Sequence, residues 1–185
     1  MKKELAFLFI GLAFIMGIIL GVVVTVYYEE KYFTPAQFSP AAPDNKIYNQ
    51  IEQLKANLKN NPQNLPALIA LGNAYFDTNQ FGKAIEVYTQ ALNIDPKNAD
   101  VRTDLGIMYR RQGDPDRAIA EFQRAAQDDP QHVNSRYNLG IVLLHDKGDL
   151  KGALAAWQDY LKLEPAGPRA DNIRMQIEKL KAMIK

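Results

Sequence analysis

Residues 71–96 read LGNAYFDTNQFGKAIEVYTQALNIDP, and residues 105–130 read LGIMYRRQGDPDRAIAEFQRAAQDDP. Both stretches open on Leu-Gly-x-x-Tyr, contain Ala-x-x-x-aromatic and close on Asp-Pro. A third copy at 139–165, LGIVLLHDKGDLKGALAAWQDYLKLEP, keeps the Leu-Gly pair, the Ala-x-x-x-aromatic step and the final proline. The prolines at 62, 96, 130 and 165 are spaced by 34, 34 and 35 residues. Such a period is typical of stacked helix–turn–helix units.

The phased pattern resembles the tetratricopeptide repeat family over about residues 64–165. The resemblance implies an all-α fold, namely an α-solenoid of three helix–turn–helix repeats with flanking helices. Three positions depart from the family, because the aromatic residue expected three places before each Leu-Gly pair is Leu68, Arg102 and Arg136. The third copy departs further, with Leu143 where the other copies have tyrosine, Tyr160 in place of a small residue of its second helix, and one inserted residue near Asp146-Lys147. The Leu-Gly pair, the Ala-x-x-x-aromatic step and the final proline recur in all three copies, so we expect the fold despite these departures.

The period also sets the boundaries of the repeats. An apolar stripe before Pro62 indicates a lone helix left from a partial repeat, and a second stripe after Pro168 indicates a capping helix. The stripes consist of Ile47, Ile51, Leu54 and Leu58, and of Ile173, Ile177, Leu180 and Ile184. The expected segments are a half-repeat helix at 44–62, repeats at 63–96, 97–130 and 131–165, and the cap at 166–185.

The turns inside the repeats have recognisable chemistry. Gly113 suits a left-handed position after a helix, Asp114 suits the cap of the next helix, and Pro115 suits its first turn. Gly148 and Asp149 repeat this arrangement in the third unit. We therefore expect tight turns between the first helix (A) and the second helix (B) of these repeats.

The N-terminal segment 5–28 contains no charged residue, and its 24 residues would span about 36 Å as a helix, against roughly 30 Å of bilayer hydrocarbon. A cleavable signal peptide is the alternative, but its apolar region is usually about 7–15 residues long and ends at a small-residue cleavage site. Since the segment ends in Val26-Tyr27-Tyr28, we expect an uncleaved transmembrane signal anchor.

The distribution of lysines predicts the orientation of this anchor. Lys2 and Lys3 precede it, whereas Lys31 follows it beside two glutamates. The positive-inside rule then places residues 1–4 in the cytoplasm. The expected location is the inner membrane, in a single pass, with the repeats in the periplasm or outside. The reversed topology stays open as an alternative.

Two further expectations concern the membrane-proximal part of the chain. Segment 29–43 carries three prolines and no apolar periodicity, which indicates an extended linker. Small residues at Ala13, Gly17 and Gly21 share one face of the anchor helix, which favours close packing and a homodimer. The alternative is that Gly and Ala are simply common in membrane helices.

The family resemblance further implies that the A helices line a concave groove. The lining is apolar and aromatic with a few amides, which suits an extended or helical peptide of a protein partner. The alternative is that several of these residues pack against the flanking helices. The implied partner-binding residues are Ile69, Asn73 and Phe76, then Thr103, Ile107 and Arg110, then Asn134, Tyr137, Ile141 and Leu144.

One ligand type of this family is not expected here. Chaperone-binding members hold an acidic C-terminus in a clamp rich in lysine and arginine. The matching positions of this chain are Ile69, Asn73, Asp104, Asn134 and Asn138, of which only Asn73 fits. The sequence therefore argues against a ligand held by two carboxylates.

No catalytic, metal or cofactor site is predicted. The chain has no cysteine, and of its two histidines His132 takes the helix-start slot that Asn64 and Asn98 hold in the other repeats. His145 precedes Asp146, but no third catalytic group is evident. Arg102, Arg110 and Arg111 suggest a modest basic patch. The net charge of +1 gives no indication of a surface that binds the phosphates of a nucleic acid.

These features favour a membrane-anchored scaffold or adaptor that mediates protein–protein interactions in envelope protein assembly. Within this class, the single anchor and the end of the array resemble tetratricopeptide proteins of cytochrome c maturation, which are thought to present apocytochrome for haem attachment. A subunit of a membrane enzyme or transport complex is the alternative of another class.

Overall fold

The computed structural model describes residues 45–184. The anchor 5–28, its packing residues Ala13, Gly17 and Gly21, and the linker 29–43 lie outside the described residues and stay predictions. In the described part of the chain, no helix combines the length and the apolar character needed to cross a membrane.

Eight α-helices and no strands make up the regular structure of residues 45–184, and turns of three or four residues join them. This confirms the predicted all-α, solenoid-like fold. The helices pair as α2–α3, α4–α5 and α6–α7, with α1 and α8 at the two ends. Their bounds are α1 Asn45–Asn60, α2 Leu65–Asp77, α3 Phe81–Ile94, α4 Ala99–Arg111, α5 Pro115–Asp128, α6 Val133–His145, α7 Leu150–Leu163 and α8 Pro168–Ile184.

Side-chain caps fix where most helices begin. Gly113 has φ +82° and Gly148 has φ +66°, and each is followed directly by a capping aspartate. The predicted roles of Gly113, Asp114 and Pro115 are thus confirmed. In each case the cap accepts a hydrogen bond from the backbone N–H three residues later, which satisfies a donor that the helix leaves free. The capping residues are Asn64, Asn98, Asp114, His132 and Asp149.

The core lies between the A and B helices of each repeat. Three large aromatic side chains of the B helices are almost completely buried. Each lies against a glycine of the paired A helix, at a position where the Cβ atom of any other residue would collide with the ring. The pairs are Tyr88 with Gly72, Phe122 with Gly106, and Trp157 with Gly140.

The end helices complete the core by covering the terminal repeats. Ile51 of α1 is buried with the core of the first repeat, and the rest of the α1 stripe packs beside it. Ile173, Ile177 and Leu180 of α8 are buried with Trp157 of the third repeat. Both end helices are exposed elsewhere, as expected for terminal elements of a solenoid.

Candidate functional site

The predicted groove residues lie on three helices, α2, α4 and α6, at spacings of three and four residues that place them on one helical face. The structure exposes Asn73 and Asn134 but buries Thr103, whose exposure is 3%. The remaining seven are half-buried, namely Ile69, Phe76, Ile107, Arg110, Tyr137, Ile141 and Leu144.

On α2, Asn73 connects the exposed face to the core. Its side-chain oxygen accepts a hydrogen bond of 2.6 Å from the hydroxyl of Tyr88. One turn later, the ring of Phe76 packs against the ring of Phe81, with 6.4 Å between the centroids and a tilt of 41°. The amide of Asn73 is therefore held in a fixed orientation at the surface.

On α4, Thr103 is buried beside His132, which is also buried. The ring Nδ1 of His132 lies 3.5 Å from the Thr103 hydroxyl and accepts a 3.3 Å hydrogen bond from the N–H of Ser135. Because Nδ1 accepts, the proton is assigned to Nε2, which donates to Asp100 over 3.0 Å. His132 thus caps α6, as its slot in the repeat predicted, and it also joins α6 to α4 through Asp100, which was not predicted.

Asp104 of α4 is half-buried and lies three residues before Ile107, a spacing that puts both on one side of the helix, and the predicted binding set does not include it. Its burial raises the pKa of the carboxyl to about 6, with a further increase from the charge of Asp100 and an opposing effect of His132. Burial raises the pKa of the Tyr88 hydroxyl, and the charges of Asp104 and Asp77 raise it further. The 34-residue period aligns Asp104 with Ala70 and Asn138. This alignment is the signal in the sequence that could have identified Asp104 as a residue of the candidate site.

On α6, the predicted residues meet the capping helix. The guanidinium of Arg169 lies 4.8 Å from the ring centroid of Tyr137 and donates a 3.1 Å hydrogen bond to the side-chain oxygen of Asn134. Tyr160 lies behind them, with its ring centroid 6.0 Å from that of Tyr137. Arg169, which sequence reasoning missed because it follows the last repeat, is therefore part of this face.

The apolar residues at the two ends of the predicted groove are also core residues. Ile69 and Phe76 pack against the core that α1 helps to close, and Ile141 and Leu144 pack against the core that includes α8. They therefore present only part of their surface, as the packing alternative anticipated. The groups that can form hydrogen bonds or ion pairs with a ligand are the exposed or half-buried polar side chains of α2, α4 and α6, such as Asn73, Asp104 and Asn138.

The predicted basic patch is wrong for Arg102, which is 5% exposed. Its guanidinium pairs with Glu121 at 2.8 Å and Asp128 at 2.9 Å, and it donates to the carbonyl of Pro96 at 2.5 Å. Arg110 forms a two-point ion pair with Asp146 of the next repeat. Both arginines hold neighbouring elements together and do not form a free cationic surface.

The described residues contain no group of three His, Cys, Asp or Glu side chains that could hold a metal ion. His145 is exposed at the end of α6, and its neighbour Asp146 is engaged by Arg110.

Residues 72–113 match the family model described as TPR repeat, and residues 103–172 match the model described as tetratricopeptide repeat. Together the two matches span more than half of the chain. No curated protein sequence gives a significant match.

Solved structures with the same fold include three of interest. The TPR domain of Sgt2 from Aspergillus fumigatus is 29% identical, with a TM-score of 0.58, over 65% of this chain and 78% of that one. MamA is 25% identical, with a TM-score of 0.61, over 70% of this chain and 81% of that one. The first TPR of Spaghetti (RPAP3), bound to the HSP90 peptide SRMEEVD, is 23% identical, with a TM-score of 0.59, over 66% and 94%.

Proposed function

Because the chain belongs to the tetratricopeptide repeat family, we propose that residues 45–184 form a non-catalytic scaffold that holds a peptide segment of a protein partner. The proposed binding face is formed by α2, α4 and α6. One observation carries the proposal: this face presents oriented amides and half-buried apolar side chains, whereas the largest aromatic residues of the B helices, Tyr88, Phe122, Trp157 and Tyr160, are buried. The RPAP3 domain, of the same fold, holds a peptide.

The chemistry of the face supports a peptide as the ligand. Asn73 and Asn138 can each both donate to and accept from a peptide backbone, and the rings of Phe76 and Tyr137 provide contact area at little loss of side-chain entropy. Thr103 is omitted from the proposed set because it is buried. Ile107 remains in it as the half-buried apolar residue of the middle repeat.

A pair of matched variants tests the scaffold function. Asn138→Trp places a large ring on the α6 face, while Gln123→Trp places the same ring on the exposed side of α5. Partners are captured from detergent-solubilised membranes with the full-length chain, and the folding of both variants is checked by thermal unfolding. We expect that Asn138→Trp no longer captures the partners of the original chain, whereas Gln123→Trp still does. Capture of these partners by both variants would argue against this binding face.

For the N-terminal part, the proposal is a single-pass anchor at 5–28 in the inner membrane, with the scaffold serving envelope protein assembly on the outer side. The uncharged segment and the lysine distribution support it. Two C-terminal reporter fusions, one active only in the periplasm and one only in the cytoplasm, test the orientation, and activity of the cytoplasmic reporter alone would reverse it. The cytochrome c alternative has only the sequence architecture behind it and stays a prediction.

Association of two anchors is proposed as well, on the spacing of Ala13, Gly17 and Gly21. Sedimentation of the full-length protein in detergent measures it. The variant Gly17→Leu with Gly21→Leu should sediment as a monomer where the original chain sediments as a dimer. An equal mass for the two proteins would exclude pairing through this face.

A further inference from the structure

The middle helix of the proposed binding face, α4, carries the unpaired carboxylate of Asp104. Among the described residues, none donates a hydrogen bond to the carboxylate of half-buried Asp104 or forms an ion pair with it. The carboxylate of Asp100 lies on the same helix one turn earlier, is 83% exposed and accepts a hydrogen bond from His132. By contrast, the buried charge of Arg102 is fully compensated inside the protein.

One end of the same face carries an oriented positive charge. Arg169 is exposed, yet its guanidinium is positioned by the ring of Tyr137 and by the side-chain oxygen of Asn134. A guanidinium held in this way loses less side-chain entropy when it binds a carboxylate than a free arginine does. The face is thus negative on α4 and positive where α8 meets α6.

We infer that the face of α2, α4 and α6 selects a peptide segment of mixed charge, with a lysine or arginine that pairs with Asp104 and an acidic group that pairs with Arg169. This inference rests on the proposed function. Charge complementarity fixes both the choice and the direction of the peptide, since the reversed peptide would bring like charges together. The half-buried apolar residues between the charges contact the intervening part of the peptide.

An unpaired, partly buried carboxylate is costly for the folded protein, and burial is the main cause of the raised pKa of Asp104. A partner cation removes that cost when it binds. The hydroxyl of Tyr88 does not do so from within, because it donates to Asn73. Binding of a cationic side chain therefore gains more here than at a fully hydrated carboxylate.

The test uses the full-length chain in detergent and a phage-displayed library of random linear peptides. The original chain should enrich peptides that contain both a basic and an acidic residue in one fixed order. Asp104→Asn should abolish the enrichment of the basic residue, and Arg169→Gln that of the acidic residue. The matched controls are Asp159→Asn and Lys179→Gln, which change the same charges at exposed positions on α7 and α8 and should select as the original chain does.

A selected peptide is then synthesised with its basic residue replaced by glutamine. This change should weaken binding to the original chain about tenfold, as for loss of one charge-assisted hydrogen bond, and leave binding to Asp104→Asn unchanged. Peptides without charge preference, or a preference that persists in Asp104→Asn, would overturn the inference and leave the scaffold function intact. If no peptide is enriched at all, both the inference and the proposed function fail.

Discussion

A methyl group on Gly106 would lie 2.6 Å from Cε1 of Phe122. No real side chain tolerates this distance, and Phe122 is completely buried, so its ring has no free volume into which to move. The close approach of α4 and α5 therefore depends on the absence of a side chain at position 106.

We predict that Gly106→Ala destabilises the protein by about 1–3 kcal/mol relative to the control Gly82→Ala. Both substitutions gain helix propensity, but the new methyl group at position 82 meets only the end of the Gln112 side chain, at 3.2 Å. Urea unfolding followed by circular dichroism measures the difference. Equal stabilities would show that the helices can separate without cost.

The second prediction concerns the buried charge of Arg102. Arg102→Met leaves the carboxylates of Glu121 and Asp128 unpaired in a setting where they are mostly buried, so a loss of about 3–5 kcal/mol is expected. Lys162→Met, which breaks an exposed pair with Asp159, should change stability by less than about 1 kcal/mol. A similar small effect for both variants would mean that the Arg102 pairs contribute little.

The third prediction separates the two roles of His132. His132→Asn keeps a capping acceptor, as at Asn64 and Asn98, whereas His132→Ala removes it. The alanine variant should therefore be less stable than the asparagine variant by about 1 kcal/mol. Native-state hydrogen exchange of the Ser135 amide reports on the cap directly, and equal protection in both variants would refute it.

The fourth prediction is a pH dependence that arises from Asp104. Its pKa is about 6 in the folded protein against an ordinary value of 3.8, so the folded state binds more protons between these values and loses stability as the pH rises through them. Asp104→Asn removes this loss. The variant should be more stable than the original chain by on the order of 1–3 kcal/mol above about pH 6, and the difference should vanish below about pH 4.

Thermal unfolding of both proteins across this pH range measures that difference. Asp159→Asn is the control, since Asp159 is exposed and pairs with Lys162. A difference between Asp104→Asn and the original chain that does not change with pH would contradict the raised pKa. Greater stability of the variant above pH 6 would also show that the original residue is kept at a cost to folding.

The sequence predicts the fold well because its signals are local or periodic. Gly113 and Asp114 show their turn chemistry within two adjacent positions, and the partners Gly106 and Phe122 recur at the same places in each repeat. The apolar stripe that includes Ile173 likewise shows a helical period within a single segment. None of these requires knowledge of distant contacts.

The polar part of the candidate site was harder to predict because its contacts are long-range. Arg102 finds its partners 19 and 26 residues away on α5, which its place in the repeat does not indicate. Thr103 is buried by a histidine that starts the next repeat, and Arg169 reaches Asn134 from beyond the last repeat. Position in a repeat defines a helical face but not which charges on it are compensated.

The most direct test is site-specific photocrosslinking in native membranes. A photoreactive phenylalanine analogue is placed in the full-length chain at Asn73 or Asn134 on the proposed binding face, and at Glu86 or Gln123 on exposed sides of the B helices. We expect adducts with the same protein partner from the two positions on the face and none from the B helices. Adducts from the B helices alone, or equally from all four positions, would contradict binding through the face of α2, α4 and α6.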